Sequence, residues 1–157
     1  MMADIEARLH ELGIQLPDVV PPVASYTPAV IDGNHVYTSG QLPMVAGALL
    51  ATGTVGKGEG SVTPDDAREC ARVCALNALA AVSSVIGSLD RVTRVVKVVG
   101  FVASDVDFTG QPAVINGASD VLGEIFGPSG VHARSAVGVA VLPLNSPVEV
   151  ELIVTFE

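Results

Sequence analysis

Apolar positions in the last part of the chain recur at every second residue, the signature of strands with one face turned inward. From 148 to 156, Val148, Val150, Leu152, Val154 and Phe156 form an apolar face and leave Glu149 and Glu151 together on the other. From 134 to 141, Val137, Val139 and Val141 share one face, while Arg134 heads a strip of small residues, Ala136, Gly138 and Ala140, on the opposite one. The intervening 142–147 turn is short enough to force these two strands to run in opposite directions, whether or not they are neighbours. Upstream, 91–103 has the β-branched density of a central strand covered on both faces, with Arg91, Arg94 and Lys97 gathered at its start.

A helical period governs other stretches. Thr63 is placed to cap a helix, Pro64 to take its first position, and Asp65 and Asp66 to meet the positive end of its dipole. This helix is expected to run to about Ile86 and stop at Gly87. Its inward stripe, Ala67, Cys70, Ala71, Cys74, Ala78, Ala81, Val82 and Val85, is mostly small and suits close packing on a sheet. A second helix is expected over 113–126, capped by Asp107 or Thr109 and ended by Gly127 and Pro128. Ile5, Leu9 and Leu12 predict a short amphipathic helix over 3–12 that stops at Gly13 and sits outside the core. Pro17, Pro21, Pro22 and Pro28 then hold the chain extended.

Asp32, Gly33 and Asn34 predict a hairpin turn between strands at 29–31 and 36–39. The glycine-rich 45–60 stretch reads as a mobile loop bordering a pocket. Gly56 and Lys57 suggest a phosphate loop, but Ala51 stands where its first glycine belongs and Gly58 where its hydroxyl belongs, which excludes that motif. The order of elements predicts an α+β layer, a sheet with two helices on one face, preceded by a short N-terminal helix. Residues 1–16 form the helical appendage and 17–157 a single domain.

Composition narrows the function. A chain of 157 residues is one domain, able to bury about 70% of its unfolded surface. A net charge of −9 and six aromatics (four Phe, two Tyr) disfavour a phosphate backbone or stacked bases as partner. Cys70 and Cys74 lie one helical turn apart, awkward for a disulfide, with no histidine near in sequence to complete a metal site, and read as small core residues. His10, His35 and His132 make no metal or triad pattern, although His132 stands two residues from Arg134. The first residues lack the apolar stretch of a signal peptide, and no run approaches the length of a membrane span, so a soluble, cytoplasmic protein with no membrane partner is expected.

The candidate chemistry centres on Arg134. Its planar fork grips a carboxylate through two parallel hydrogen bonds, and the small residues beside it leave room for the rest of a small molecule. The competing reading is a solvated rim on an edge strand. Arg134 and Glu149 begin antiparallel strands, which places them on the order of 20 Å apart within one chain. If they act together they meet across an interface between copies, which implies a ring-shaped oligomer.

Two blocks carry a family resemblance. The run from Ala133 to Pro143, followed by Val148, Glu149, Val150 and Glu151, resembles the C-terminal signature of the Rid family, the reactive intermediate deaminases also called YjgF or liver perchloric-acid-soluble proteins. Tyr37, Thr38, Ser39, Gly40, Gln41, Leu42 and Pro43 resemble that family's early motif. The likeness runs from about Tyr26 to the C-terminus. It implies the chorismate-mutase-like fold, a mixed β-sheet, and a homotrimer. It also implies a pocket in which Arg134 holds the carboxylate of a small 2-imino or enamino acid and Glu149 moves protons, giving a 2-keto acid and ammonia without metal or organic cofactor. Tyr26, Ser39, Gly40, Asn116 and Ala136 would line it. From the residues alone, Tyr26 equally suits a strand cap and Asn116 a solvated helix face. Ala136 stands where many members carry a cysteine, so no thiol chemistry is available there. The N-terminal helix and the longer glycine-rich loop place the chain in a longer branch of the family. Two other functions stay open: a non-catalytic binder of small carboxylates and, third, an endoribonuclease, against which the acidic surface counts.

Overall fold

The computed structural model describes residues 4–157. Its elements are α1 (Ile5–Glu11), β1 (Ala29–Asp32), β2 (His35–Thr38), β3 (Met44–Val45), β4 (Ala48–Leu49), α2 (Pro64–Ile86), β5 (Val92–Ala103), α3 (Gln111–Phe126), β6 (Ala133–Val139) and β7 (Val148–Phe156). Five strands form one mixed sheet in the order β1-β2-β7-β5-β6, in which only β5 and β6 run parallel. Both long helices cover the same face, so the chain has the expected α+β architecture. β6 runs opposite to β7, with β5 between them.

Helix α2 forms as its sequence dictates. Thr63 Oγ1 accepts from the Asp66 amide at 3.1 Å, Pro64 occupies the first turn, and Gly87 closes the helix with a positive φ of 92°. Leu76, Asn77 and Leu79 are buried along with the small stripe, of which only Val85 is half-buried, because α3, the sheet and the β3–β4 hairpin enclose α2 on several sides. By length and composition α2 could cross a membrane, which corrects the expectation that no run is long enough; 67% of its apolar window is nevertheless buried inside the fold, as in a core helix. Helix α3 begins two residues earlier than expected, and Gly110 is its cap, with no side-chain cap hydrogen bond. Asp107 and Thr109 therefore do not cap it. Gln111 bonds the Phe108 carbonyl at 2.7 Å and Ser104 Oγ at 3.1 Å instead.

Strand β5 is covered on one face only within the chain. Val95, Val98 and Val102 are fully buried beneath the helices, while Thr93 and Arg94 are exposed and Val96, Val99 and Phe101 half-buried. The β1–β2 turn contains two residues, and the positive φ of Gly33 at its first central position is that of a type II′ hairpin. The glycine-rich stretch is tied down rather than loose. Ala46 and Gly47 make a tight turn between β3 and β4, buried Val55 bonds both Ala103 and Asp105 through its backbone, and the Gly53 amide bonds the Asn145 carbonyl. Beside Gly56, an added Cβ would lie 1.7 Å from Asp105 Oδ2, so an acid occupies the space a phosphate would need.

Residues 1–3 lie outside the described residues, and with them the first residue of the helix expected over 3–12. Helix α1 is docked rather than free. Ile5 and Leu9 are buried in the common core, the Ile5 amide bonds Asp90 Oδ1 at 2.7 Å, and Arg8 Nε bonds the Glu124 carbonyl of α3 at 2.9 Å.

The two long helices approach closely at Gly117, where an added Cβ would sit 1.9 Å from the Arg68 carbonyl oxygen; Gly123, on the same helix, has open space. Gly117→Ala should lower stability by about 1–3 kcal/mol through forced separation of α2 and α3. Gly123→Ala should raise it by roughly 0.5–1 kcal/mol through helix propensity. Thermal or urea melts of the two variants check this, and equal effects would show that the close contact is not a constraint.

Candidate functional site

Arg134 lies in register with Val98, which in turn pairs with Leu152. Val98 and Leu152 are buried against the helices, so Arg134 points to the helix-covered side, at the sheet edge formed by β6. There α3 receives it. Nη1 donates to Asn116 Oδ1 at 2.8 Å and to Ser119 Oγ at 3.2 Å, and Nη2 donates to the Pro112 carbonyl at 3.2 Å. Residues 112, 116 and 119 are spaced four and three apart and form one stripe on the helix. Among the described residues, Nε–H and one Nη2–H have no acceptor, and no carboxylate pairs with the guanidinium. Two donors of the fork are thus left for a ligand, and a carboxylate has the two acceptor oxygens to take them.

Glu149 belongs to the other face. Val148 and Val150 on either side of it are fully buried, so the pleat turns its carboxylate away from the helices. It meets Gly40, where an added Cβ would lie 1.8 Å from Oε1, so only glycine admits the carboxylate there. Burial, reinforced by the charge of Glu151, raises the Glu149 pKa above the ordinary carboxylate value. Among the described residues no cation is within ion-pair distance of it. Ser39, next to Gly40, donates its hydroxyl to the Thr27 carbonyl at 2.6 Å and its amide to the Pro28 carbonyl, fastening the approach segment to the end of β2. Half-exposed Tyr26 accepts from the Val23 amide at 3.4 Å and lines a small cleft of about 50 Å³ with Gly40, Gln41 and Leu144.

The seven sequence-identified residues thus fall into two groups. Tyr26, Ser39, Gly40 and Glu149 lie together, and Arg134, Asn116 and Ala136 lie together. From the register, Arg134 and Glu149 are offset by three residues along the strands and by two strand spacings, roughly 14 Å between Cα atoms. This is shorter than the estimate from sequence, which took both residues to stand at opposite ends of equal strands. Opposite faces, rather than distance, keep them from meeting within one chain.

Asn116 is engaged by Arg134 and not merely solvated. The small strip is also less open than its composition implies. Ala136 packs against the core, and an added Cβ at Gly138 would meet Gln111 Nε2 at 2.7 Å, so the space beside Gly138 belongs to α3. Ser119 was not singled out from sequence, though its i+3 spacing from Asn116 is a legible signal. Neither cysteine supplies a nucleophile: burial and nearby Asp66 and Glu69 push Cys70 up to about 11, and burial raises Cys74 well above the usual thiol value. No group of three or more metal-ligating side chains is assembled among the described residues.

Comparison with known proteins places this geometry. Residues 6–156 match a family model described as "YjgF/chorismate mutase-like, putative endoribonuclease". The chain is 43% identical over 151 residues to Protein TCP17 of Trypanosoma cruzi, covering 96% of this chain and 92% of that one. It is 37% identical over 145 residues to a 2-iminobutanoate/2-iminopropanoate deaminase of Dermatophagoides farinae, covering 92% and 95% respectively. A crystal structure of a protein of unknown function from Agrobacterium tumefaciens superposes with a TM-score of 0.86 at 45% identity, covering 97% of this chain and 91% of that one. The matched span takes in both groups of residues and the whole sheet that separates them, and the chain belongs to the YjgF/chorismate-mutase-like, or Rid, family.

Proposed function

We propose that the chain hydrolyses small 2-imino acids to 2-keto acids and ammonia at a site completed between copies of itself. The observation that carries this reading is the state of Arg134: a half-buried guanidinium, braced by three neutral acceptors, with Nε–H and one Nη2–H unspent and no acid beside it. A small carboxylate is the natural complement of those donors. The name of the mite relative supplies the reaction class.

In this reading Arg134 of one copy holds the substrate carboxylate. Glu149 of a neighbour takes a proton from water as the oxygen adds to the carbon of the protonated C=N group, then gives it to the nitrogen; the carbon–nitrogen bond breaks as the new hydroxyl loses its proton to solvent and becomes the keto oxygen, and ammonia leaves. Gly40 gives Glu149 room to approach, and Ser39 and Tyr26 shape the wall. The pKa of Glu149, raised by burial, suits a proton carrier better than an ordinary carboxylate would. Imines hydrolyse readily in water, so orientation and a modest electrostatic effect are enough.

The uncovered sheet face, with Val30, Tyr37, Phe101, Val137 and Ile153 on it, is the surface through which copies would join. Resemblance to the family supports a homotrimer. The net charge of −9 counts against RNA as substrate.

Arg134→Ala should weaken 2-oxobutanoate binding, read by calorimetry, by at least roughly tenfold. Arg134→Lys should restore little of it, since an ammonium cannot present two fixed parallel donors. Unchanged binding in both variants would remove Arg134 from the site. Light scattering of the purified chain should give the mass of three copies, and full activity in a single-copy species would exclude a shared site.

Glu149→Gln should keep keto-acid affinity while lowering imine hydrolysis, coupled to a dehydratase that generates 2-aminoacrylate, by roughly 10²-fold. In wild type the base must be ionised, so the rate should fall as pH drops through the raised pKa of Glu149, at a higher pH than an ordinary carboxylate would give. Glu149→Gln should lose that acid limb. Tight keto-acid binding with no acceleration by wild type would make the protein a carboxylate binder instead.

A further inference from the structure

The contacts that hold Arg134 continue beyond α3. Ser119 Oγ, which accepts from Arg134 Nη1 at 3.2 Å, lies 2.9 Å from His132 Nε2, and His132 Nδ1 lies 2.6 Å from the Gly130 carbonyl oxygen. Donor chemistry fixes the direction of every link. A guanidinium only donates and a carbonyl only accepts. Ser119 Oγ therefore accepts from Arg134, and His132 carries its ring hydrogen on Nδ1 to donate it to Gly130. In that neutral tautomer Nε2 is an acceptor, so Ser119 donates its single proton to it. One tautomer and one hydroxyl rotamer satisfy all three links.

We infer that Ser119 and His132 are positioning residues that set the angle at which the unspent donors of Arg134 face a bound carboxylate, an inference that rests on the reading of Arg134 as the carboxylate receptor. A helical serine otherwise turns its hydroxyl to the carbonyl four residues back, here Ile115, and bonds it instead. His132 captures that proton instead and fixes the hydroxyl rotamer that Arg134 meets. The far anchor is rigid too. Gly130 is buried so tightly against α3 that an added Cβ would lie 2.5 Å from the Leu122 carbonyl oxygen. The turn after α3, the histidine that follows it and the serine on α3 thus close a loop around the guanidinium. Asn116 and the Pro112 carbonyl alone would leave Arg134 free to tilt about the line joining them, and a tilted fork offers one good bond to a carboxylate instead of two.

The test uses the full-length chain, with 2-oxobutanoate as the probe and wild type, Arg134→Ala, Ser119→Ala, Ser119→Thr, His132→Leu and His132→Gln compared. Ser119→Ala and His132→Leu should raise the Kd about three- to tenfold, with KM rising similarly and kcat within about twofold. Ser119→Thr keeps the hydroxyl and His132→Gln keeps an acceptor near the Nε2 position, so both should return the Kd to within about twofold of wild type. Wild-type affinity in Ser119→Ala and His132→Leu, with binding lost in Arg134→Ala, would overturn this inference and leave the receptor standing. A loss confined to kcat would overturn it as well. Wild-type affinity in Arg134→Ala would instead overturn the underlying reading. Where a deletion variant does not fold, nitrogen NMR of wild-type His132 decides: the Nδ1-protonated tautomer is expected, and the Nε2-protonated one overturns the chain of bonds.

Discussion

The pleat of β7 divides its residues between two surfaces of different chemistry, and the placement of both half-sites depends on that division. Val148, Val150, Leu152 and Val154 vanish beneath the helices, each contributing on the order of 1.5–3 kcal/mol of burial, while Glu149 and Glu151 are turned outward. A slip of one residue would drive two carboxylates into an apolar core, so register is strongly fixed. The same register, carried across β5 to β6, sets Arg134 on the covered side. Packing the core thereby separates a cation from an acid that would otherwise neutralise each other.

That separation has an electrostatic consequence. A half-buried guanidinium surrounded by a carbonyl, an amide oxygen and a hydroxyl is solvated by dipoles but keeps its charge. A half-buried carboxylate beside a glycine and a second glutamate is solvated less well, and its raised pKa records the deficit. An Arg134–Glu149 pair inside one chain would have consumed both groups. Held on opposite faces, neither is spent on the other. The sheet is the insulator between them, and under the proposed shared site a neighbouring copy would bring the two to one ligand.

The alternation on β7, the Thr63 cap and the Gly87 stop were legible because each is a local pattern with one physical interpretation. Arg134, Glu149 and Gly40 were legible as chemistry but not as geometry. Sequence treated the two strands as equal and put the charges on the order of 20 Å apart, whereas their pairing through β5 brings them nearer and turns them to opposite faces. The strip was misread as empty at Gly138 because small residues in a sequence do not reveal what fills the space, here Gln111 from the start of α3. Composition also misled at 45–60: many glycines suggest a loose loop, but several of them serve tight turns beside Val55, which is pinned through its backbone on both sides. Asn116 and Ser119 look like ordinary polar positions until the strand beside their helix is known.

The N-terminal helix also connects to the site. Its Ile5 and Leu9 join the core, and its Arg8 bonds the Glu124 carbonyl of α3. Helix α3 is the element whose Pro112, Asn116 and Ser119 brace Arg134, and the turn that follows it anchors His132. A helix held only at its sheet-facing side could rock and carry the guanidinium with it. Contact with α2 at Gly117 restrains its middle, and α1 restrains its C-terminal end. Under the proposed reading of Arg134 as a carboxylate receptor, the N-terminal helix would thus act at a distance from the ligand, by bracing the helix that holds the arginine, where looseness of even 1 Å would weaken a two-bond grip.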